Sequence, residues 1–286
     1  MSYWVAVVTR NGSRHLTRTL DSLVNQTAAP RLVTVVDDGS TDDTQTLLRR
    51  YERLSENLTI ITKPDLGYDI RRVPANINLA WKRNADLATA YFMISGDDCV
   101  YPPAYAGSLL ARMNSMARIV VASGQPSTGG SHSQEHSPSG SGRMVRCSFW
   151  REVGGGYPLK AGWETWLLYK AAERGFEVRL FDDLTYEHAR PRGAEHQFVY
   201  WGAAMGALGY HPLYAIGRIT INAVRPSFAP RRAVSMLRGY LQSHLGSSDT
   251  FISSYDHSLQ SFVRRKQSQR ITQVITVRPR ASDASN

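Results

Sequence analysis

The sequence predicts an α/β fold: a mostly parallel sheet flanked by helices, followed by a helical, basic C-terminal extension. Three observations predict it. Short apolar runs that do not alternate recur along the first half, and stretches with helical spacing separate them. The charge then changes abruptly. Residues 1–189 hold 21 Lys+Arg against 20 Asp+Glu, whereas residues 190–286 hold 13 against 4, so the net +10 belongs chiefly to the last third.

The elements follow in order. "YWVAVVT" (3–9), "LVTVV" (32–36), "LTIIT" (58–62), "YFMIS" (91–95) and "RIVVA" (118–122) are short and β-branched or aromatic, as strands covered on both faces are. "HLTRTLDSLVNQ" and "TQTLLRRYERL" place apolar residues such as Leu16, Leu20, Leu23 and Val24 on one helical face. Residues 123–142, "SGQPSTGGSHSQEHSPSGSG", have no periodicity and predict a flexible loop, a candidate lid. A strand over "RMVRCSF" (143–149), a Gly-rich turn, a helix over 163–174 and a strand over "EVRLF" (177–181) follow. Beyond Pro191 helix-like segments carry Pro and Arg, and the last twenty or so residues read as frayed and basic.

Composition narrows the function classes. No stretch of eighteen uninterrupted apolar residues occurs, so a membrane span is not expected. The start runs straight into a strand pattern without the features of a secretory signal. Cys99 and Cys147 form neither a metal-ligand spacing nor a disulfide framework, and a reducing, cytoplasmic setting fits them. The basic last third suits nucleic acid, anionic lipid or plain solubility, and charge alone does not choose.

"TVVDDGSTDDT" (34–44) sets four carboxylates at the end of an apolar strand. Capping of the next helix by Ser40, Thr41 or Asp42, with acids near its positive end, explains Asp42 and Asp43. It does not explain Asp37 and Asp38. They fall at a strand's carboxyl edge, where a carboxylate can accept from a base N–H or a ribose hydroxyl.

The stretch "VAVVTRNGSRHLTRTLDSLVNQTAAPRLVTVVDDGSTDDT" closely resembles the opening of the family-two inverting glycosyltransferases with the GT-A, Rossmann-like fold. The resemblance implies that the first half binds a nucleotide-diphosphate sugar, a UDP-sugar above all. Thr9 and Arg10 would lie beside the nucleotide, Asp38 would hold the base, and Asp37 would be its neighbour. "NINLAWKRNADLATAYFMISGDDCVYPP" resembles the family's next segment, with Arg83 facing the base or diphosphate between Asn78 and Asn84. "SGDD" (95–98) stands where the family has its Asp-x-Asp element, with Ser95 in place of the first Asp. The resemblance implies that Asp97, which also adjoins the nucleotide, holds Mn2+ or Mg2+, with Asp98 second and His188 of "FDDLTYEHARPRG" as a later ligand. A divalent cation suits a diphosphate leaving group, and oxygen ligands suit such a cation.

"GWETWLLYKAAERG" (162–175) resembles the family's helix bearing the catalytic base, with Glu164 in place of its Asp. Inversion by single displacement needs such a base at the acceptor hydroxyl. Trp163 and Trp166 are candidate stacking walls for sugar or acceptor. The change of texture beyond Pro191 divides the chain into a catalytic domain over 1–190 and an extension over 191–286. Within the domain, residues 1–102 are expected to bind the nucleotide sugar and residues 103–190 to serve the acceptor. The resemblance itself runs from about residue 3 to about 217. The acceptor would be a hydroxyl of glycan, lipid or protein, and a homo-oligomer is open. "WGAAMGALGYHPLYAIGRI", with Arg218, Arg225, Arg231 and Arg232, could touch a membrane surface, or could pack as a helix pair. Two rival readings remain. A basic nucleic-acid-binding module rests on "VRRKQSQR" (263–270), and a nucleotidyltransferase of similar layered fold lacks its Gly-rich phosphate loop.

Overall fold

A computed structural model of the chain describes residues 2–127, 137–190, 197–223 and 230–276. The chain packs as two compact units, Met1–Leu159 with Trp163–Arg192, and Lys160–Gly162 with Gly193–Asn286.

The first unit opens with three βα repeats: β1 (Tyr3–Thr9), α1 (Leu16–Val24), β2 (Val33–Asp37), α2 (Thr44–Leu54), β3 (Leu58–Thr62) and α3 (Val73–Arg83). It continues with β4 (Tyr91–Gly96), β5 (Cys99–Val100), α4 (Tyr105–Ser115), β6 (Ile119–Pro126), β7 (Arg143–Arg146), α5 (Cys147–Glu152), α6 (Trp163–Glu173) and β8 (Glu177–His188). The sheet order is β3-β2-β1-β4-β7-β6-β8-β5. β1 to β4 run parallel, as do β6 and β8, while β7 is inserted antiparallel between β4 and β6 and β5 is antiparallel to β8.

The strand faces explain the layers. Leu16, Leu20 and Leu23 of α1 are fully buried with Val5, Val7, Val33 and Val35, each such leucine contributing roughly 1.5–3 kcal/mol by burial. An aromatic cluster fills another region of the core, where Phe92 stacks on Trp4 at 5.3 Å and meets Trp81 and Trp150 at 5.0 Å each. The parallel strands are therefore covered on both sides, and their carboxyl ends are left open to carry chemistry.

Three boundaries differ from the sequence reading. β7 stops at Arg146, and "CSF" begins α5, because Cys147, Phe149 and Trp150 bury on a helical face. β8 runs to His188 rather than Phe181, held beyond the polar Asp182 and Asp183 by pairing with β6 and then β5. β6 extends to Pro126, so the Ser/Gly-rich loop begins after it, and 128–136, the heart of the candidate lid, lie outside the described residues.

The second unit contains α7 (Gln197–Ala207), α8 (Pro212–Ala223), α9 (Pro230–His244) and α10 (His257–Thr276). Gly202 and Gly206 of α7 face the α9 backbone, and a Cβ at Gly202 would overlap the Met236 carbonyl; small residues thus set the close crossing of these helices. Arg225 and the tail beyond 276 lie outside the described residues.

Candidate active site

Register brings the strand ends to one edge. Thr9 pairs with Asp37, Val8 with Gly96, and Asp37 with Thr62, so residues just after β2, β1, β4 and β3 adjoin one another. Thr9 is the junction. Its hydroxyl donates to Asp97 Oδ2 at 2.7 Å, and its carbonyl accepts the Asp38 N–H at 2.9 Å. Gly12 permits this closeness, since a Cβ there would overlap Thr9 Oγ1 and Asp97 Oδ2.

Asp38 is buried and doubly paired. Lys63 Nζ lies 2.8 Å from its Oδ1 and Arg72 Nε 2.9 Å from its Oδ2, while Lys63 also donates to Asn76 Oδ1 at 2.7 Å. Burial alone would raise the Asp38 pKa; the hydrogen bonds from Lys63 and Arg72 outweigh it and hold the carboxyl below its usual range.

The neighbouring candidates serve the turn. Asp37 is fully buried, and its Oδ1 accepts from the Ser40 N–H at 3.0 Å and the Ser40 hydroxyl at 2.5 Å. Successive strand side chains point to opposite faces, so Asp37 shares the face of Val35, and its Oδ2 is buried without a hydrogen-bond partner. Arg10 donates to the Asp38 and Gly39 carbonyls at 2.6 Å and pairs with Asp65 at 2.6 Å, so its guanidinium braces the same turn. The N-cap of α2 is Asp43, whose side chain makes no cap hydrogen bond, while Asp42, one residue earlier and also exposed, accepts the Thr44 N–H at 3.0 Å.

Arg83 is misplaced by the sequence reading. α3 starts beside Asp38 at Arg72 and runs back toward the other end of the strands, where Asn84 Nδ2 donates to Thr34 Oγ1 at 2.8 Å. At 1.5 Å rise per residue, Arg83 is carried roughly 16 Å along the helix from Arg72. It is exposed there, and Arg72 is the arginine of this segment that meets the site. Asn78 is structural, exchanging hydrogen bonds with the Tyr157 backbone at 2.7 and 2.8 Å.

A second cluster forms where the turn after β4 meets the end of β8. β5 pairs Cys99 with His188. One Asp98 oxygen, a His188 ring nitrogen and Cys99 Sγ lie within 4.8 Å of one another, and Asp98 Oδ1 stands 3.8 Å from His188 Nε2. His188 Nδ1 hydrogen-bonds the Arg190 carbonyl at 2.8 Å. A carbonyl only accepts, so Nδ1 carries a proton, and Nε2 is the ring nitrogen that faces Asp98.

Arg190 lies across both carboxylates, with Nη2 2.9 Å from Asp97 Oδ1 and Nε 3.8 Å from Asp98 Oδ2. Burial first, then the Asp98 charge, push the Asp97 pKa up, only partly offset by Arg190 and Thr9. The Cys99 thiol is pushed up to about 12, mainly by burial, and stays neutral. A neutral thiol is a poor ligand, so the usable donors are carboxylate oxygens and an imidazole nitrogen. That set fits a hard or borderline divalent cation such as Mn2+ or Mg2+. Ser95 takes no part in it, being buried with its hydroxyl 2.9 Å from Tyr101.

Glu164 is exposed in the first turn of α6. Its carboxylate rests against Gly140, where a Cβ would overlap Oε1. The next residue, Ser141, accepts the Gly96 N–H at 3.3 Å, which links Glu164 to the carboxylate turn through residues 140 and 141. Trp163 is half-buried, its ring 4.5 Å from Tyr157 edge-on. Trp166 is a core residue at 8% exposure, so it does not offer a stacking wall. Lys63, Arg72, Asn76 and Arg190 were not anticipated from the sequence.

The family model described as "Glycosyl transferase family 2" matches residues 4–156. No curated protein matches the chain by sequence. Among solved structures, residues 1–349 of TarS from S. aureus are similar at 16% identity and a TM-score of 0.55, covering 85% of this chain and 72% of that one. The same TarS form in complex with UDP-GlcNAc is similar at 15% identity and a TM-score of 0.54, covering 92% and 78%. The mannosyltransferase PcManGT from Pyrobaculum calidifontis, in complex with GDP-Man and Mn2+, is similar at 15% identity and a TM-score of 0.56, covering 97% and 76%. At these identities the likeness is one of fold, and the fold is the mixed α/β GT-A type.

Proposed function

The chain belongs to glycosyl transferase family 2 and is a glycosyltransferase, and on that premise we propose that it transfers a sugar from a UDP-type donor to an acceptor hydroxyl with inversion, assisted by Mn2+ or Mg2+. One observation supports the proposal: Thr9 touches both Asp38 and Asp97 at a single strand edge, which puts a base-side and a phosphate-side group within reach of one ligand. Asp38, set by Lys63 and Arg72, lines the nucleoside end. Asp97, Asp98 and His188 would hold the cation, and a cation there would supply positive charge against the departing diphosphate. Glu164 takes the acceptor proton as its oxygen attacks the anomeric carbon and the bond to the diphosphate breaks. Trp163 borders the acceptor side. UDP and UDP-GlcNAc on TarS, and GDP-Man with Mn2+ on PcManGT, lend support to this donor class.

The test is Glu164→Gln, assayed for sugar transfer alongside calorimetric titration with UDP, GDP and dTDP, each with and without Mn2+. Transfer is expected to fall at least ~100-fold, the low end for general-base loss, with nucleotide affinity kept. Normal transfer by the variant would remove Glu164 as the base, and metal-independent nucleotide binding would remove the cation from the scheme.

A further inference from the structure

α9 is apolar on two sides. Its buried Met236, Gly239 and Tyr240 face the interior of the second unit. Val234, Leu237 and Leu241 are exposed, and Leu245 just past its end is more so, at 79%. These positions, i, i+3, i+7 and i+11, form one stripe along the helix. α8, which packs against α9, exposes Leu213 and Ile216 at i, i+3. Arg231 and Arg238, two turns apart and both exposed, border the α9 stripe. Residues 196–248 contain five arginines and not one Asp or Glu.

The pattern narrows the occupant. Nucleic acid favours aromatic faces for base stacking, and this stripe is aliphatic. A second copy of the chain would set one acid-free arginine row against another, which like charge opposes. An anionic lipid surface satisfies both features, taking aliphatic side chains at the boundary of headgroups and acyl chains and guanidinium groups among its phosphates. No described helix is long and apolar enough to cross a membrane, so the contact lies in the plane of the interface.

We propose that the α8–α9 face docks the protein peripherally on an anionic lipid bilayer. The face keeps Leu213, Ile216 and Arg231 of the stretch that the sequence pattern offers to a membrane, but replaces its first half, where Ala203, Met205, Ala207 and Leu208 are buried, with the exposed stripe of α9. The inference stands apart from the proposed donor chemistry, since none of these residues belongs to the strand-edge site.

The experiment is flotation of the full chain with vesicles of phosphatidylcholine alone or with phosphatidylglycerol added. Binding is expected only to the anionic vesicles and should weaken with salt. Arg231→Gln with Arg238→Gln should weaken it about thirtyfold, at about one guanidinium-worth of attraction each. Leu237→Ser with Leu241→Ser should weaken it at least about tenfold. Both pairs alter exposed positions, so thermal melts should match the parent. Absence of binding, equal binding to uncharged vesicles, or indifference to both pairs would overturn the proposal. So would a dimer in light scattering that the leucine pair dissolves, or binding to RNA or DNA in preference to vesicles.

Discussion

Arg190 places a cationic group between the two carboxylates proposed to hold the metal. Its Nη2 contacts Asp97 at 2.9 Å and its Nε faces Asp98 at 3.8 Å, so a divalent cation entering between them must displace it. The gross attraction at an effective dielectric of 20 is on the order of 4–6 kcal/mol for each contact. The arginine side chain is 42% exposed, and solvent screening and side-chain ordering leave a net pairing of roughly 1–3 kcal/mol. Arg190→Ala removes that competitor together with a repelling charge, so Mn2+ should bind about tenfold to a hundredfold more tightly. One effect opposes this. Arg190 also helps keep Asp97 ionised, so without it the Asp97 pKa climbs further and the gain should shrink as pH falls. Calorimetric Mn2+ titration of parent, Arg190→Ala and Arg190→Lys at about pH 8 and about pH 6 reads both trends. Equal or weaker Mn2+ affinity of Arg190→Ala at the higher pH would refute the reasoning and move the cation away from Asp97 and Asp98.

Two further perturbations separate stability from chemistry. Asp38→Asn leaves Lys63 and Arg72 facing a neutral amide; because both partners keep some solvent, unfolding stability in urea should fall by roughly 2–3 kcal/mol, below the cost for a wholly buried pair. The depressed Asp38 pKa makes this contribution complete above the ordinary value of 3.8 and lost as pH falls through the folded value, so the variant should lack that share of the acid-side loss. Gly140→Ala pushes the Glu164 carboxylate aside while a flexible side-chain end absorbs the strain; transfer should drop at least about tenfold with melting and UDP affinity nearly unchanged.

What local pattern controls is what the sequence makes legible in this protein. β1 to β4 read correctly because continuous β-branched runs have few other fates, and with them came the strand edge and its carboxylates. Lys63 was within reach of the same logic, since it directly follows β3 and therefore stands at that edge. Arg72 and Arg190 were not. One depends on where α3 begins, and the other on β5 pairing with β8, a contact between residues about ninety positions apart. Arg83 shows the opposite failure, in which position within a motif suggested a role that helix rise then carried to the wrong end. Trp166 failed because periodicity does not tell a buried aromatic face from an open one.

Thr9 offers the sharpest test of whether the two ends of the site act on one ligand. β2 and β4 flank β1, so groups following them stand about 10 Å apart at ~4.8 Å per strand, and Thr9 touches both. Its hydroxyl is one of two contacts holding the Asp97 pKa down against burial, Arg190 being the other. Thr9→Val keeps the β-branched shape and removes only the donor. A hydrogen bond to a charged group contributes about 1.5–3 kcal/mol, so the pH profile of Mn2+-dependent UDP binding should move upward by about one pH unit or more. UDP binding measured without Mn2+ should keep its profile, because the Thr9 carbonyl and the Asp38 turn are untouched. An equal change with and without the cation would make Thr9 a plain nucleotide contact. No change in either would mean that Asp97 does not face the metal, and the link between base-side and phosphate-side groups would be broken.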